Sequence, residues 1–88
     1  MDTNYQMLMS LYEKFHPKQQ MYSTESEISL IKDTLFIDNM SILELRNLRD
    51  MTVMFFEGKN DNLVEKMDKI SAITHVIDCK IVELGGEV

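Results

Sequence analysis

Leu63-Val64-Glu65-Lys66-Met67-Asp68-Lys69-Ile70-Ser71-Ala72-Ile73-Thr74-His75-Val76-Ile77-Asp78-Cys79-Lys80-Ile81-Val82-Glu83-Leu84 is the stretch that decides the fold. Leu63, Met67, Ile70, Thr74, Ile77, Ile81 and Leu84 follow one another in alternating steps of four and three. That is the 3.5-residue repeat of a helical packing seam. Glu65 and Lys69 form an i, i+4 pair of the stabilising orientation. Gly85-Gly86 is a helix stop. The valines and isoleucines of 74–84 also suit a strand, as a β-branched surface would. A lone strand needs a partner, and no other segment reads as one, so the helix is the better reading.

An a/d stripe is in most small proteins the core of an intramolecular bundle. Here Ala72, Ile73, Val76 and Cys79 add apolar surface outside it, more than a two-stranded seam uses. A homodimer through Met67, Ile70, Ile73, Ile77 and Ile81 is one way to cover the excess. The last helix is therefore expected at the centre of a small bundle, with a second subunit as a further partner.

Working back, Asn60, Asp61 and Asn62 are all competent helix caps. Gly58 suits the left-handed position after a helix end. The helix before it opens at Ser41, whose capping-box partner is Glu44. Met40 and Leu45 stand where a hydrophobic staple would place them. Ile42, Leu45, Leu48, Thr52, Phe55 and Phe56 share one face of this helix, which runs to about Glu57. Arg49 lies at the edge of that face and reads as a snorkelling stem with a solvated head. Leu43, Asn47, Asp50 and Met54 form a stripe on the opposite, polar side. Two large apolar side chains in line there point to a contact surface, and with Arg46 they make the expected partner-binding set.

Asp38-Asn39 is a turn signal. Thr24 and Glu27 form another capping box, opening a helix to about Ile37 that is apolar on two sides. Such a helix is sandwiched between neighbours. Lys18 to Ser23 reads as a connection. Thr3 to His16 carries Leu8, Leu11, Tyr12 and Phe15 at helical spacing, with Gln6 placed to close a box on Thr3, and Pro17 ends the helix. The expected architecture is all-α: one domain over 1–88, a bundle of about four helices with short connections.

A chain of 88 residues buries a thin core, about 60–65 % of the surface its unfolded chain exposes, and association would help it. Its formal charge of −6 weighs against nucleic-acid binding. The competing reading is a helix-turn-helix around Asp38-Asn39 that presents Arg46, Asn47 and Arg49 to a groove. Glu44 and Asp50 stand among those residues and oppose it. With Cys79 the only cysteine, no internal disulfide forms. No apolar run is long enough for a bilayer, and Met1-Asp2-Thr3-Asn4 does not open a signal peptide. A cytoplasmic protein with no direct membrane insertion is expected.

His75 and Cys79, at i, i+4, would supply two zinc ligands where a closed site needs four. The Cys–His pair has no oxyanion site or nucleophile turn beside it, and the glycines offer no phosphate loop. No enzyme activity, metal or cofactor is expected.

Met40-Ser41-Ile42-Leu43-Glu44-Leu45-Arg46-Asn47-Leu48-Arg49-Asp50 resembles small accessory and regulatory proteins of T-even-type phages. So does Lys69-Ile70-Ser71-Ala72-Ile73-Thr74-His75-Val76-Ile77-Asp78. The resemblance spans most of residues 40–84. That class includes cytoplasmic lysis-inhibition accessory proteins that restrain a holin. The resemblance implies a non-enzymatic regulator that binds one target protein, and carries no catalytic residues.

Overall fold

A computed structural model describes residues 3–17 and 23–87. Of the connection read at Lys18 to Ser23, all but Ser23 lies outside the described residues. Four α-helices follow in order: α1 (Thr3–Lys14), α2 (Glu25–Leu35), α3 (Ile42–Glu57) and α4 (Leu63–Glu83). No strand is present among the described residues, and 74–83 continues α4 as helix. Its i→i−4 bonds satisfy each backbone group locally, whereas a strand would need a neighbour to do so.

The helix starts follow from local chemistry. Thr24 accepts from the Glu27 N–H while its own N–H donates to the Glu27 carboxylate. Ser41 and Glu44 close the same reciprocal pair at the start of α3. Each box satisfies two backbone or side-chain groups that would otherwise have no helical partner. Asn62 is the cap of α4, accepting from the Glu65 N–H at 2.9 Å. α1 already includes Thr3 as a helical residue, so the capping box read at Thr3 and Gln6 is not its start.

The helix ends depart from expectation at three places, the first being α1, which stops at Lys14 rather than His16. α2 stops at Leu35, earlier than about Ile37. Phe36 turns left-handed there (φ 54°, ψ 39°), and a 3₁₀ turn follows over Ile37–Asn39. Gly58 is right-handed, with φ −76°, because α3 closes by simple i→i−4 and i→i−3 bonds that need no reversal of hand. The left-handed glycine is Gly85, at φ 92°. Its N–H bonds to the Val82 carbonyl and that of Gly86 to the Ile81 carbonyl, both at 2.9 Å. These two bonds make a Schellman motif.

The helices pack in a ring, α1 against α2, α2 against α4, α4 against α3 and α3 against α1, with α3–α4 the most extensive pairing. Lys66 reaches the Glu57 carbonyl, Arg49 reaches Asp78 and Arg46 reaches the Glu87 carbonyl. Residue numbers fall along α3 as they rise along α4, so the two are antiparallel. All four helices feed one core. Leu8, Leu11 and Phe15 enter it from α1 and its end, Ile31 and Leu35 from α2, Ile37 from the 3₁₀ turn, and Leu45, Leu48 and Phe56 from α3. Thr52 is fully buried, and its hydroxyl is satisfied by the Leu48 carbonyl at 2.7 Å.

The α4 seam is only partly a packing seam. Ile77 and Ile81 are buried, but Leu63 and Met67 are 70 % and 60 % exposed. The buried stripe is Lys69, Ile73, Val76, Ile77 and Ile81. An α-helix turns every 3.6 residues, so a strict 3.5 repeat drifts round a straight one. α4, with 21 residues, also outruns α3, with 16. Of the five residues expected to associate two copies, Ile73, Ile77 and Ile81 are consumed by the chain's own core. Ile70 is half-buried, and Met67 alone is exposed.

Candidate functional site

The outer side of α3 carries the candidate site. The buried face of the helix is Leu45, Leu48, Thr52 and Phe56. At 100° per residue, Leu43, Asn47, Asp50 and Met54 then point away from the core. Leu43 is 69 % and Met54 73 % exposed, and Asn47 and Asp50 between them are exposed as well. The stripe is an apolar–polar–acidic–apolar row on a helix whose inner face is rigidly held. The Ser41–Glu44 capping box fixes the helix start immediately before Leu43. Hydrogen bonds donated by the Ser41 N–H and by the Ser41 hydroxyl hold the Glu44 carboxyl below the usual carboxylate range.

Arg46 does not join this row. It lies round the helix toward α4, where its Nη2 donates to the Glu87 carbonyl at 2.9 Å. Arg49 is not a solvated head. Its Nε lies 2.7 Å from Oδ1 of Asp78 on α4, with the two side chains 41 % and 21 % exposed. Antiparallel packing of α3 on α4 brings the edge position of one helix beside the edge position of the other, which no spacing within α3 reveals. Both arginines on which a groove-reading helix would depend are thus engaged within the chain.

A second cluster was not legible in the sequence. Asp61 is no cap. Its Oδ1 accepts from the Tyr12 hydroxyl at 3.1 Å, and its Oδ2 lies 3.5 Å from the Lys69 ammonium. Lys69 is 5 % exposed and stands 4.6 Å from the centre of the Tyr12 ring. Lys59 covers the Tyr12 and Phe55 rings at 5.0 and 4.5 Å. Tyr5, Tyr12, Phe55 and Phe56 meet edge-on or tilted, with centroids 5.2–6.1 Å apart. The hydrogen bond to Asp61, then burial, raises the Tyr12 phenol above its ordinary pKa. This cluster joins α1 to the start of α4. The signal that would have found it is the step from Lys69 to Ile73 and Val76, which sets Lys69 on the buried stripe.

His75 Nε2 and Cys79 Sγ are 3.6 Å apart, and both residues are exposed. No group of three metal-ligating side chains comes together among the described residues. No helix among them is long and apolar enough to cross a membrane. Compared with protein-family models, with curated proteins and with solved structures, the chain gives no significant match in any of the three.

Proposed function

We propose that this protein is a small non-enzymatic regulator that acts by contact with another protein, through the Leu43–Asn47–Asp50–Met54 row of α3. The observation that carries the reading is the exposure of two large apolar side chains, Leu43 and Met54, on a helix already anchored by its opposite face. A preformed helical face presents anchors at i, i+4, i+7 and i+11 without an ordering cost at binding. Asp50 between the anchors gives charge selectivity, which sets partner choice more than affinity. The resemblance of 40–50 and 69–78 to small T-even-type phage regulators favours the same class of action, with a holin-type protein as the target.

The test is capture of bound chains from the native cell or infected host by tagged wild type and by the variant Asp50→Lys/Met54→Ala. The wild type is expected to retain a specific chain that the variant loses, at equal helicity by circular dichroism. Equal capture by both removes this face.

A further inference from the structure

His75 and Cys79 stand one turn apart on α4, so the helix sets their side chains on one face. His75 Nε2 and Cys79 Sγ are 3.6 Å apart, within hydrogen-bond reach for sulfur. With the imidazole as its Nδ1–H tautomer, the thiol donates to Nε2 and its proton already points at a base. Both residues are exposed, so a reagent in solution can reach the sulfur.

The pair borders a cavity of about 220 Å³ between α2 and α4. Drug-sized ligands fill about 300–1,000 Å³, so this space suits a smaller group. Ile28 of α2 and Val76 of α4 give it apolar walls, and Lys32, Lys80 and Glu83 give it charge. Lys80 Nζ lies 3.4 Å from Asp38 Oδ1 and 3.5 Å from Glu83 Oε1, so two carboxylates already balance it. Lys32 is half-buried and forms no ion pair among the described residues. The cavity therefore brings together a nucleophilic sulfur, a base in contact with it and one unmatched cation. Such a cation disfavours a metal ion there and favours an anion.

We propose that Cys79 is a modification site for small anionic disulfides, with His75 as the general base and Lys32 as the charge that selects an anion. His75 Nε2 takes the thiol proton as Cys79 Sγ attacks one sulfur of the disulfide. The Cys79 S–S bond forms, the reagent's own S–S bond breaks, and the departing sulfur leaves with the electron pair and receives the proton from His75. Cys79 is oxidised to a mixed disulfide, and half of the reagent is reduced to a thiol. The site lies between α2 and α4 and uses no residue of the α3 row, so it stands independently of the proposed function.

Three disulfides of similar size serve as probes on the full-length chain at low ionic strength: bis(carboxymethyl) disulfide, which is anionic, bis(hydroxyethyl) disulfide, which is neutral, and cystamine, which is cationic. Intact mass follows the adduct, and Cys79→Ser should form none. Folded wild type is expected to react faster than the same chain unfolded in urea. His75→Gln keeps a polar side chain at an exposed position but cannot take the proton, and should slow all three probes alike by about tenfold or more. Lys32→Gln should leave the neutral probe's rate unchanged and lower the ratio of anionic to cationic rates by about threefold or more. That ratio cancels the probes' intrinsic reactivities and the chain's overall charge. Circular dichroism checks that each variant is folded. A native thiol no faster than the unfolded one overturns the proposal. So does a His75→Gln chain that reacts like wild type, or a rate ratio that Lys32→Gln leaves unchanged.

Discussion

The Lys69 ammonium lies 3.5 Å from Oδ2 of Asp61, with the two side chains only 6 % and 17 % exposed. That oxygen has no hydrogen-bond partner, so the attraction at this distance and the Tyr12 ring beneath Lys69 are what offset its desolvation. Removing one member of a buried pair leaves the other charge uncompensated, whereas removing both does not. Lys69→Met is expected to lower stability by about 3 kcal/mol. Lys69→Met with Asp61→Asn should recover most of that loss. Urea unfolding of the two variants decides it: equal loss in both would show that packing, not charge, is what Lys69 supplies.

Tyr12 predicts a high-pH effect. Its folded pKa is raised, chiefly by the hydrogen bond it donates to Asp61. A raised value means that the protonated phenol is favoured by folding. The resulting stabilisation is complete below the ordinary tyrosine pKa and is lost as pH rises through the folded one. Tyrosinate absorbance should show a tyrosine titrating late, which Tyr12→Phe removes and Tyr5→Phe does not.

The capping box at Ser41 predicts an acid effect of the opposite sign. Glu44 has a lowered pKa, from its hydrogen bonds with Ser41. Its contribution is present above the ordinary carboxylate pKa and is lost as pH falls through the folded value. Ser41→Ala is expected to cost about 1 kcal/mol at neutral pH, and the gap between it and wild type should narrow in acid. Thermal unfolding at a series of acidic pH values measures the gap.

The two faces of α3 should respond in opposite ways to truncation. Phe56 is fully buried, and Phe56→Ala is expected to cost about 3–5 kcal/mol through the cavity it leaves. Leu43→Ala and Met54→Ala remove exposed side chains and should stay within about 0.5 kcal/mol of wild type. A large loss at Met54 in the purified chain would mean that it packs against something in solution.

Gly85, at φ 92° with nothing near its missing Cβ, isolates a backbone effect. Gly85→Ala meets no atom, so the expected loss of about 1 kcal/mol arises from the left-handed conformation alone. Gly86→Ala carries a steric cost instead, since a Cβ there would fall 2.8 Å from Cγ2 of Ile81 and 3.2 Å from its carbonyl oxygen. Chemical denaturation should rank Gly86→Ala below Gly85→Ala.

Local signals made the helices and several of their limits legible. Thr24–Glu27, Ser41–Glu44 and the Gly85-Gly86 stop act over a few residues, and the structure contains all of them. The outward row Leu43–Met54 was legible too, because helical periodicity alone sets which residues oppose Leu45 and Leu48. The phase of α4 was less so. Its seven-residue spacing located the helix correctly but misplaced the buried stripe at Leu63 and Met67, since the true stripe depends on where α3 ends.

The all-α class, the approximate helix limits and the outer face of α3 were thus determined by the sequence itself, because capping and periodicity are interactions between near neighbours in the chain. The Arg49–Asp78 pair, the burial of Lys69 on Asp61 and Tyr12, and the α2–α4 cavity beside Cys79 were decided only by the tertiary structure. Each joins residues on different helices, and their meeting depends on how those helices cross and which outruns the other. No spacing along one helix encodes that.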